Sequence, residues 1–169
     1  EQMQVKNGQL SRHGVREVEL RFSQSRALPK RMPVDIAIVF DTTGSMQSQI
    51  DRLKKTLQAI HFQLSNLSTQ PDVRFALIDY KDRGDEYVTR LTPFTGDLNA
   101  FQRIVDKLEA DGGGDTPEDL QAALADAFQK LEWRRDGLRL GFIITDAIPH
   151  TDYGQSFDYR VAMREGLKQ

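Results

Sequence analysis

The sequence contains no cysteine, so disulfide scaffolds and thiolate metal sites are excluded. It has no apolar run close to the roughly 20 residues that a membrane-spanning helix needs. The net charge of -2 argues against a dedicated nucleic-acid binder. What remains is a chain of 169 residues, 38% apolar and 28% charged, which is the composition of a globular protein able to bury a core.

One stretch organises the chain: a strand pattern, a polar turn and a helix pattern in direct succession. Residues 34–40 form a β-branched and aromatic run, typical of a strand buried on both faces of a parallel sheet. Residues 41–45 then supply one carboxylate and three hydroxyls, and from Met46 apolar residues recur at intervals of three or four. Because ligands of open α/β sheets bind at the carboxyl ends of strands, we expect the functional site at this turn.

Strand and helix patterns alternate through the rest of the chain. Residues 73–80 and 138–145 predict two further buried strands, and residues 87–91 a short antiparallel edge strand. The alternation predicts an α/β fold with a doubly wound, mainly parallel sheet and helices on both faces. Helices are expected after Asp97, after Thr116 and near Phe157.

The middle helix carries a start signal. Thr116 suits the N-cap, Pro117 the first helical position, and Asp119 completes a capping box.

Domain boundaries are expected on both sides of this pattern. Residues 1–33 are polar and rich in Arg and Lys, with one short alternating strand at 17–22, so we assign them to an N-terminal extension or the end of a preceding domain. Residues 34–169 form the main domain. A right-handed crossover after the final helix requires another parallel strand, so this domain is expected to be incomplete, with its last strands and helix beyond Gln169.

Several motifs compete for the polar turn. The aspartic protease signature Asp-Thr-Gly-Ser is interrupted here by a second Thr, and a P-loop would need Gly-Lys-Ser/Thr. Phosphatases of the haloacid dehalogenase type usually place a second Asp where Thr43 stands. The remaining match, Asp-x-Thr-x-Ser at Asp41, Thr43 and Ser45, resembles the metal-ion-dependent adhesion site (MIDAS) of von Willebrand factor type A domains. Residues 112–118 and 143–147 resemble segments of bacterial-type members.

The resemblance implies a metal site of five residues: Asp41, Thr43, Ser45, Thr116 and Asp146. In the family the two hydroxyls of the first motif bind the cation, together with the Thr or the second Asp according to state, while the first Asp acts largely through water. Asp115 and His150 are expected at the rim of the ligand site. Hydroxyl and carboxylate oxygens suit Mg²⁺ or Mn²⁺, with Ca²⁺ a weaker candidate.

The function that the resemblance implies is a metal-dependent, adhesion-type interaction module and not an enzyme. Its cation would bind a Glu or Asp carboxylate of a partner protein, and the resemblance favours an extracytoplasmic or surface location. Two alternatives stay open: a metal-assisted, phosphatase-like hydrolase with Asp41 as nucleophile, and a regulatory subunit of a chelatase-like ATPase. The tripeptide Arg83-Gly84-Asp85 spells an integrin-binding motif, but its setting is that of a polar turn between strands.

Overall fold

The computed structural model describes residues 3–6, 9–12, 16–19, 31–66, 71–114 and 117–166. The chain divides into two compact units between Lys30 and Arg31. The first unit holds a three-stranded antiparallel sheet, ordered β1 (Met3–Lys6), β2 (Gln9–Arg12), β3 (Arg16–Glu19). The strand predicted at residues 17–22 overlaps β3, and residues 20–22 lie outside the described part of the chain.

The second unit is built on a four-stranded sheet of order β6-β5-β4-β7. Its strands are β4 (Pro33–Asp41), β5 (Asp72–Tyr80), β6 (Thr89–Thr95) and β7 (Leu138–Ile144). The central β4 pairs in parallel with β5 and β7, whereas β6 is antiparallel to β5 at one edge. This confirms the mainly parallel sheet and its antiparallel edge strand. The edge strand begins later than predicted because a loop, closed by a bond from the Lys81 amide to the Val88 carbonyl (3.0 Å), precedes it.

Helices cover both faces of this sheet, as predicted. A short 3₁₀ turn (Gly44–Met46) leads into α1 (Gln47–Ser65), which packs with α2 (Leu98–Val105) on one face. On the other face lie α3 (Leu120–Gln129) and α4 (Tyr159–Gly166). Among the described residues, no helix combines the length and apolar character that a bilayer crossing requires.

The unbroken apolar run of β4 has a direct structural cause. Ala37 and Val39 pack into the core beneath α3 and α4, while Ile38 and Phe40 pack beneath α1 and α2. A strand between two helical layers is buried on both faces, so neither set of alternate positions is polar. Asp41 is the last residue of this inner strand of the sheet.

The start of α3 differs from the prediction. We expected Thr116 to cap the helix and Pro117 to open it, but α3 begins at Leu120. Its N-cap is Asp119, whose Oδ1 accepts a hydrogen bond from the Ala122 amide (3.0 Å). Thr116 lies outside the described residues.

The cause of this shift is a backbone pairing that sequence periodicity does not reveal. The Glu118 amide donates to the Ile148 carbonyl (3.1 Å), and the His150 amide donates to the Glu118 carbonyl (3.0 Å). These two bonds form an isolated parallel bridge between Glu118 and Pro149. Since the bridge holds Glu118 extended, the helix can begin only after it.

An ion cluster holds together the opposite, amino-terminal end of the sheet. Asp35, 1% exposed, accepts hydrogen bonds from the Arg74 guanidinium (2.9 and 2.7 Å) and from Arg134 Nε (2.8 Å). Arg134 also pairs with Asp72. Burial raises the pKa of Asp35, but the hydrogen bonds from Arg74 and Arg134 outweigh burial and hold it below its usual value.

Candidate metal centre

The turn after β4 is organised by the Asp41 carboxylate, which is 0% exposed. Its Oδ1 accepts a hydrogen bond from the Thr43 amide (2.9 Å) and another from the Thr43 hydroxyl (2.6 Å). The Asp41 carboxylate thus holds the amide and the hydroxyl of the residue two positions later, and these two bonds close the turn. Asp41 and Thr43, paired in the sequence prediction, are in direct contact.

A residue that the sequence prediction missed completes the environment of Asp41. The Thr145 hydroxyl donates to Asp41 Oδ2 (2.8 Å), which links the end of β7 to the end of β4. Its position after a buried strand and directly before Asp146 was the available signal. Thr145 was overlooked because the family motif contains no residue at this position.

The other two described motif residues also meet. The Ser45 hydroxyl donates to Asp146 Oδ1 (3.1 Å), and both side chains are open to solvent. The structure therefore brings together Asp41, Thr43, Ser45 and Asp146 through two short contacts on adjacent strand ends. Asp115 and Thr116 lie outside the described residues, so their part in the site stays a prediction.

A glycine-rich loop at residues 111–114 packs against this turn. The Gly44 amide donates to the Gly112 carbonyl (3.1 Å), and the Asp111 amide to the Thr42 carbonyl (3.1 Å). Gly113 has a φ of +81°, and a Cβ there would lie 2.9 Å from the Thr43 Cβ. Only glycine allows the loop to approach Thr43 so closely.

Two buried side chains, Tyr80 and Glu118, lie close to these groups. The Glu118 side chain is 3% exposed, and a Cβ on Gly113 would lie 3.3 Å from its Oε1. Burial raises the pKa of the Tyr80 hydroxyl above its usual range, and the charges of Asp41, Glu118 and Asp146 act in the same direction. Tyr80 therefore stays protonated and neutral among these carboxyl groups.

Among the described residues, Asp41 and Asp146 form no ion pair with any Lys, Arg or His. Buried carboxylates are normally paired or bound to metal. The arrangement is electrostatically suited to a cation.

The His150 side chain contacts the loop after β5 and its own loop after β7. Its ring stacks on Tyr153 with centroids 4.0 Å apart, its Nδ1 lies 2.8 Å from Asp152 Oδ1, and its Nε2 lies 3.5 Å from Asp82 Oδ2. The hydrogen bond with His150 lowers the pKa of Asp152. The predicted role of His150 at the rim stays a prediction.

The integrin-like tripeptide makes internal contacts. Arg83 Nε pairs with Asp119 Oδ2 (3.0 Å), and the Asp85 carboxylate accepts from the Gly113 amide (3.2 Å to each oxygen). These contacts agree with the turn assignment and leave neither charged side chain directed only to solvent.

The donor set determines which cations suit the site. In the part of the chain that the structure describes, no group of three or more His, Cys, Asp or Glu side chains could hold a metal ion by itself. A cation here would therefore need the hydroxyls of Thr43 and Ser45 as well as carboxylates. Such a set is hard and oxygen-only, which fits Mg²⁺ or Mn²⁺.

Comparison with known proteins identifies the family. Residues 35–156 match the family model of the von Willebrand factor A domain. The chain belongs to this family. The von Willebrand factor A (VWA) match covers β4 to the loop after β7, and so includes every predicted metal ligand.

One curated relative is the alpha-protein kinase vwkA of Dictyostelium discoideum, 30% identical over 145 residues. The match covers 84% of this chain but only 22% of the kinase, so the chain spans less than a quarter of that relative's length.

Two solved structures share the fold. The pilus adhesin SpaC of Lactobacillus rhamnosus GG matches with a TM-score of 0.55 and 18% identity, over 70% of this chain and 16% of SpaC. Proximal thread matrix protein 1 of the mussel byssus, in a structure with a zinc-occupied MIDAS motif, matches with a TM-score of 0.59 and 16% identity, over 82% of this chain and 35% of that chain. These likenesses confirm the Rossmann-like α/β fold.

Proposed function

We propose that this VWA domain binds a divalent cation and presents it to a carboxylate of a partner protein. Thr43 and Ser45 would be the constant ligands, joined by Thr116 or Asp146. Asp41 would act from behind the ligands and orient them. Mg²⁺ is the first choice of cation and Mn²⁺ the second.

The hydrogen-bond direction at the two hydroxyls carries this proposal. Thr43 donates its hydroxyl proton to Asp41, and Ser45 donates its own to Asp146. A hydroxyl has one proton and two lone pairs, so a hydroxyl that donates to a carboxylate keeps its lone pairs for a cation. Carboxylates that fix ligand orientation from outside the coordination shell typically strengthen metal binding.

Charge balance supports the partner's chemistry. Asp41 and Asp146, the two carboxylates that contact the predicted hydroxyl ligands, would offset the two charges of a divalent cation. Mg²⁺ favours six oxygen ligands and usually keeps several waters. A partner carboxylate could replace one of those waters, and the exposure of the Ser45 and Asp146 side chains is consistent with such an exchange at the surface.

The zinc-occupied MIDAS motif named for the mussel protein adds support for a divalent cation in this fold. The named roles of the adhesin and the byssus matrix protein also fit a surface or extracellular location for this domain.

A binding function fits the geometry better than catalysis. In a phosphatase-like hydrolase, Asp41 would have to attack substrate, but it is 0% exposed and both of its oxygens accept hydrogen bonds. Such a carboxylate is held for orientation and is a poor nucleophile. The kinase named among the relatives is more than four times the matched length, so its named activity is not carried over to this domain.

Isothermal titration with Mg²⁺, Mn²⁺ and Zn²⁺ tests the metal site. We expect Asp41→Asn and Ser45→Ala each to weaken Mg²⁺ affinity by at least about tenfold, the scale for groups that hold or orient metal ligands. The control is Ser48→Ala, because Ser48 is exposed on α1 and, among the described residues, its hydroxyl donates a hydrogen bond only to Gln49.

Two results would contradict parts of this proposal. Equal affinity in Asp41→Asn and the unmodified chain would remove Asp41 from the site. Fluorescence polarisation with peptides carrying a single Glu, compared with Gln versions, then tests the partner carboxylate. Binding that is the same in Mg²⁺ and in EDTA would rule out a metal-bridged partner.

A further inference from the structure

The loop between β5 and β6, residues 81–88, supplies none of the proposed metal ligands. It nevertheless contacts both the segment after Asp146 and the glycine-rich loop. On one side, the Tyr153 hydroxyl donates to both oxygens of Asp82 (2.9 and 2.8 Å). The Arg83 guanidinium lies 3.9 Å from the centroid of the same Tyr153 ring. These contacts connect the β5–β6 loop to the segment that follows Asp146.

On the other side, Asp85 connects the same loop to the glycine-rich loop. The Gly113 amide donates to Asp85 at 3.2 Å, and the Asp82 amide donates to Asp85 Oδ2 at 3.3 Å. The approach is close: a Cβ on Gly112 would lie 2.5 Å from Asp85 Oδ1. The half-buried Asp85 carboxylate is thus fitted against the backbone of the glycine-rich loop.

The glycine-rich loop is held from two directions as a result. The Asp41–Ser45 turn binds it through the Gly112 carbonyl, and Asp85 binds the next amide along the chain. Gly112 and Gly113 both have positive φ, at +77° and +81°, and glycine loses more conformational freedom on ordering than any other residue. A charge-assisted bond from a carboxylate is well suited to hold such a backbone in one position.

We propose that Asp85 is a positioning residue of the metal centre, which fixes the distance between the glycine-rich loop and Thr43. The proposal rests on the proposed function, because the loop leads to Thr116 in the sequence. Under this proposal, the Asp of the integrin-like tripeptide belongs to the domain's own metal centre, because its carboxylate accepts a hydrogen bond from an amide of the same chain.

Four variants of the full 169-residue chain test this role: Asp85→Ala, Asp85→Asn, Glu86→Gln and Ile78→Val. We measure Mg²⁺ and Mn²⁺ affinity by titration, the melting temperature without metal, and exchange of the Gly113 amide by NMR. Asp85→Ala should weaken affinity by about 10- to 100-fold, the usual range for groups behind the ligands. It should also speed Gly113 exchange. Asp85→Asn keeps one acceptor oxygen and should recover part of the affinity.

The controls isolate the positioning effect. Glu86→Gln removes the same charge from the exposed neighbouring side chain and should bind metal normally. Ile78→Val destabilises the buried centre of β5 without touching the site, so it shows what lost stability alone does to affinity. Unchanged affinity in Asp85→Ala, or a loss no larger than that of Ile78→Val, would overturn the positioning role. Failure of the unmodified chain to bind metal would overturn the proposed function and this role with it.

Discussion

The two ends of β4 each bury an aspartate, and they treat it in opposite ways. At the amino-terminal end, Asp35 is 1% exposed and held by the guanidinium groups of Arg74 and Arg134. At the carboxyl end, Asp41 is 0% exposed and held by the hydroxyls of Thr43 and Thr145. One charge is neutralised within the fold, whereas the other is only oriented.

This difference separates structure from function on a single strand. An ion cluster of matched charge has no remaining need for a ligand, so the Asp35 end closes the sheet. At the carboxyl end, Asp41 accepts hydrogen bonds only from neutral donors among the described residues, so no basic group is paired with it there. Asp146 and Glu118 bring two further carboxyl groups to this end of the strand, which is why we propose it as the cation site.

The largest effect is expected from breaking the amino-terminal cluster. Asp35→Asn leaves two arginines without their buried partner and should lower the free energy of unfolding by about 3 kcal/mol at neutral pH. Metal affinity should not change, because the site lies at the other end of the strand. Chemical denaturation without metal, with titration on the same samples, measures both.

A control for that variant is Asp72→Asn. Asp72 pairs with the same Arg134 but its side chain is 53% exposed, so its loss should cost less than about 1 kcal/mol. Equal costs for the two variants would mean that burial of Asp35 contributes nothing to the strength of the cluster.

A smaller effect is expected from pH. The pKa of Asp35 is lower in the folded chain than its usual value of 3.8, so folding favours the ionised form. The stabilisation is therefore complete above 3.8 and is lost as the pH falls through the lower, folded pKa. The stability gap between the unmodified chain and Asp35→Asn should be constant near neutrality and narrow in acid. A gap that widened in acid would contradict this sign.

The smallest effect is expected at Thr145. Thr145→Val keeps the shape of the side chain but removes the hydroxyl that donates to Asp41. Metal affinity should fall by about tenfold, since the carboxylate then loses one of its fixed donors. Thr145→Ser keeps the hydroxyl and serves as the matched control. Titration decides: wild-type affinity in the valine variant would show that Thr43 alone orients Asp41.

The features that depend on local sequence pattern could be predicted without the structure. The apolar run before Asp41 predicted a strand buried on both faces, and the three- and four-residue spacing after Met46 predicted α1. The Asp-x-Thr-x-Ser spacing predicted a candidate site at this turn, because residues of one turn are close in space whatever the rest of the chain does. Asp97 was also found in advance as the start of α2.

The contacts between segments that are far apart in sequence could not be predicted and are seen only in the folded chain. The Thr145–Asp41 bond joins residues 104 positions apart, and the Arg134–Asp35 bond joins residues 99 positions apart. The start of α3 differs from the prediction for the same reason, since a bridge to the loop after β7 holds Glu118 extended. Periodicity and motif spacing report on one segment at a time, whereas these contacts depend on which strands lie side by side.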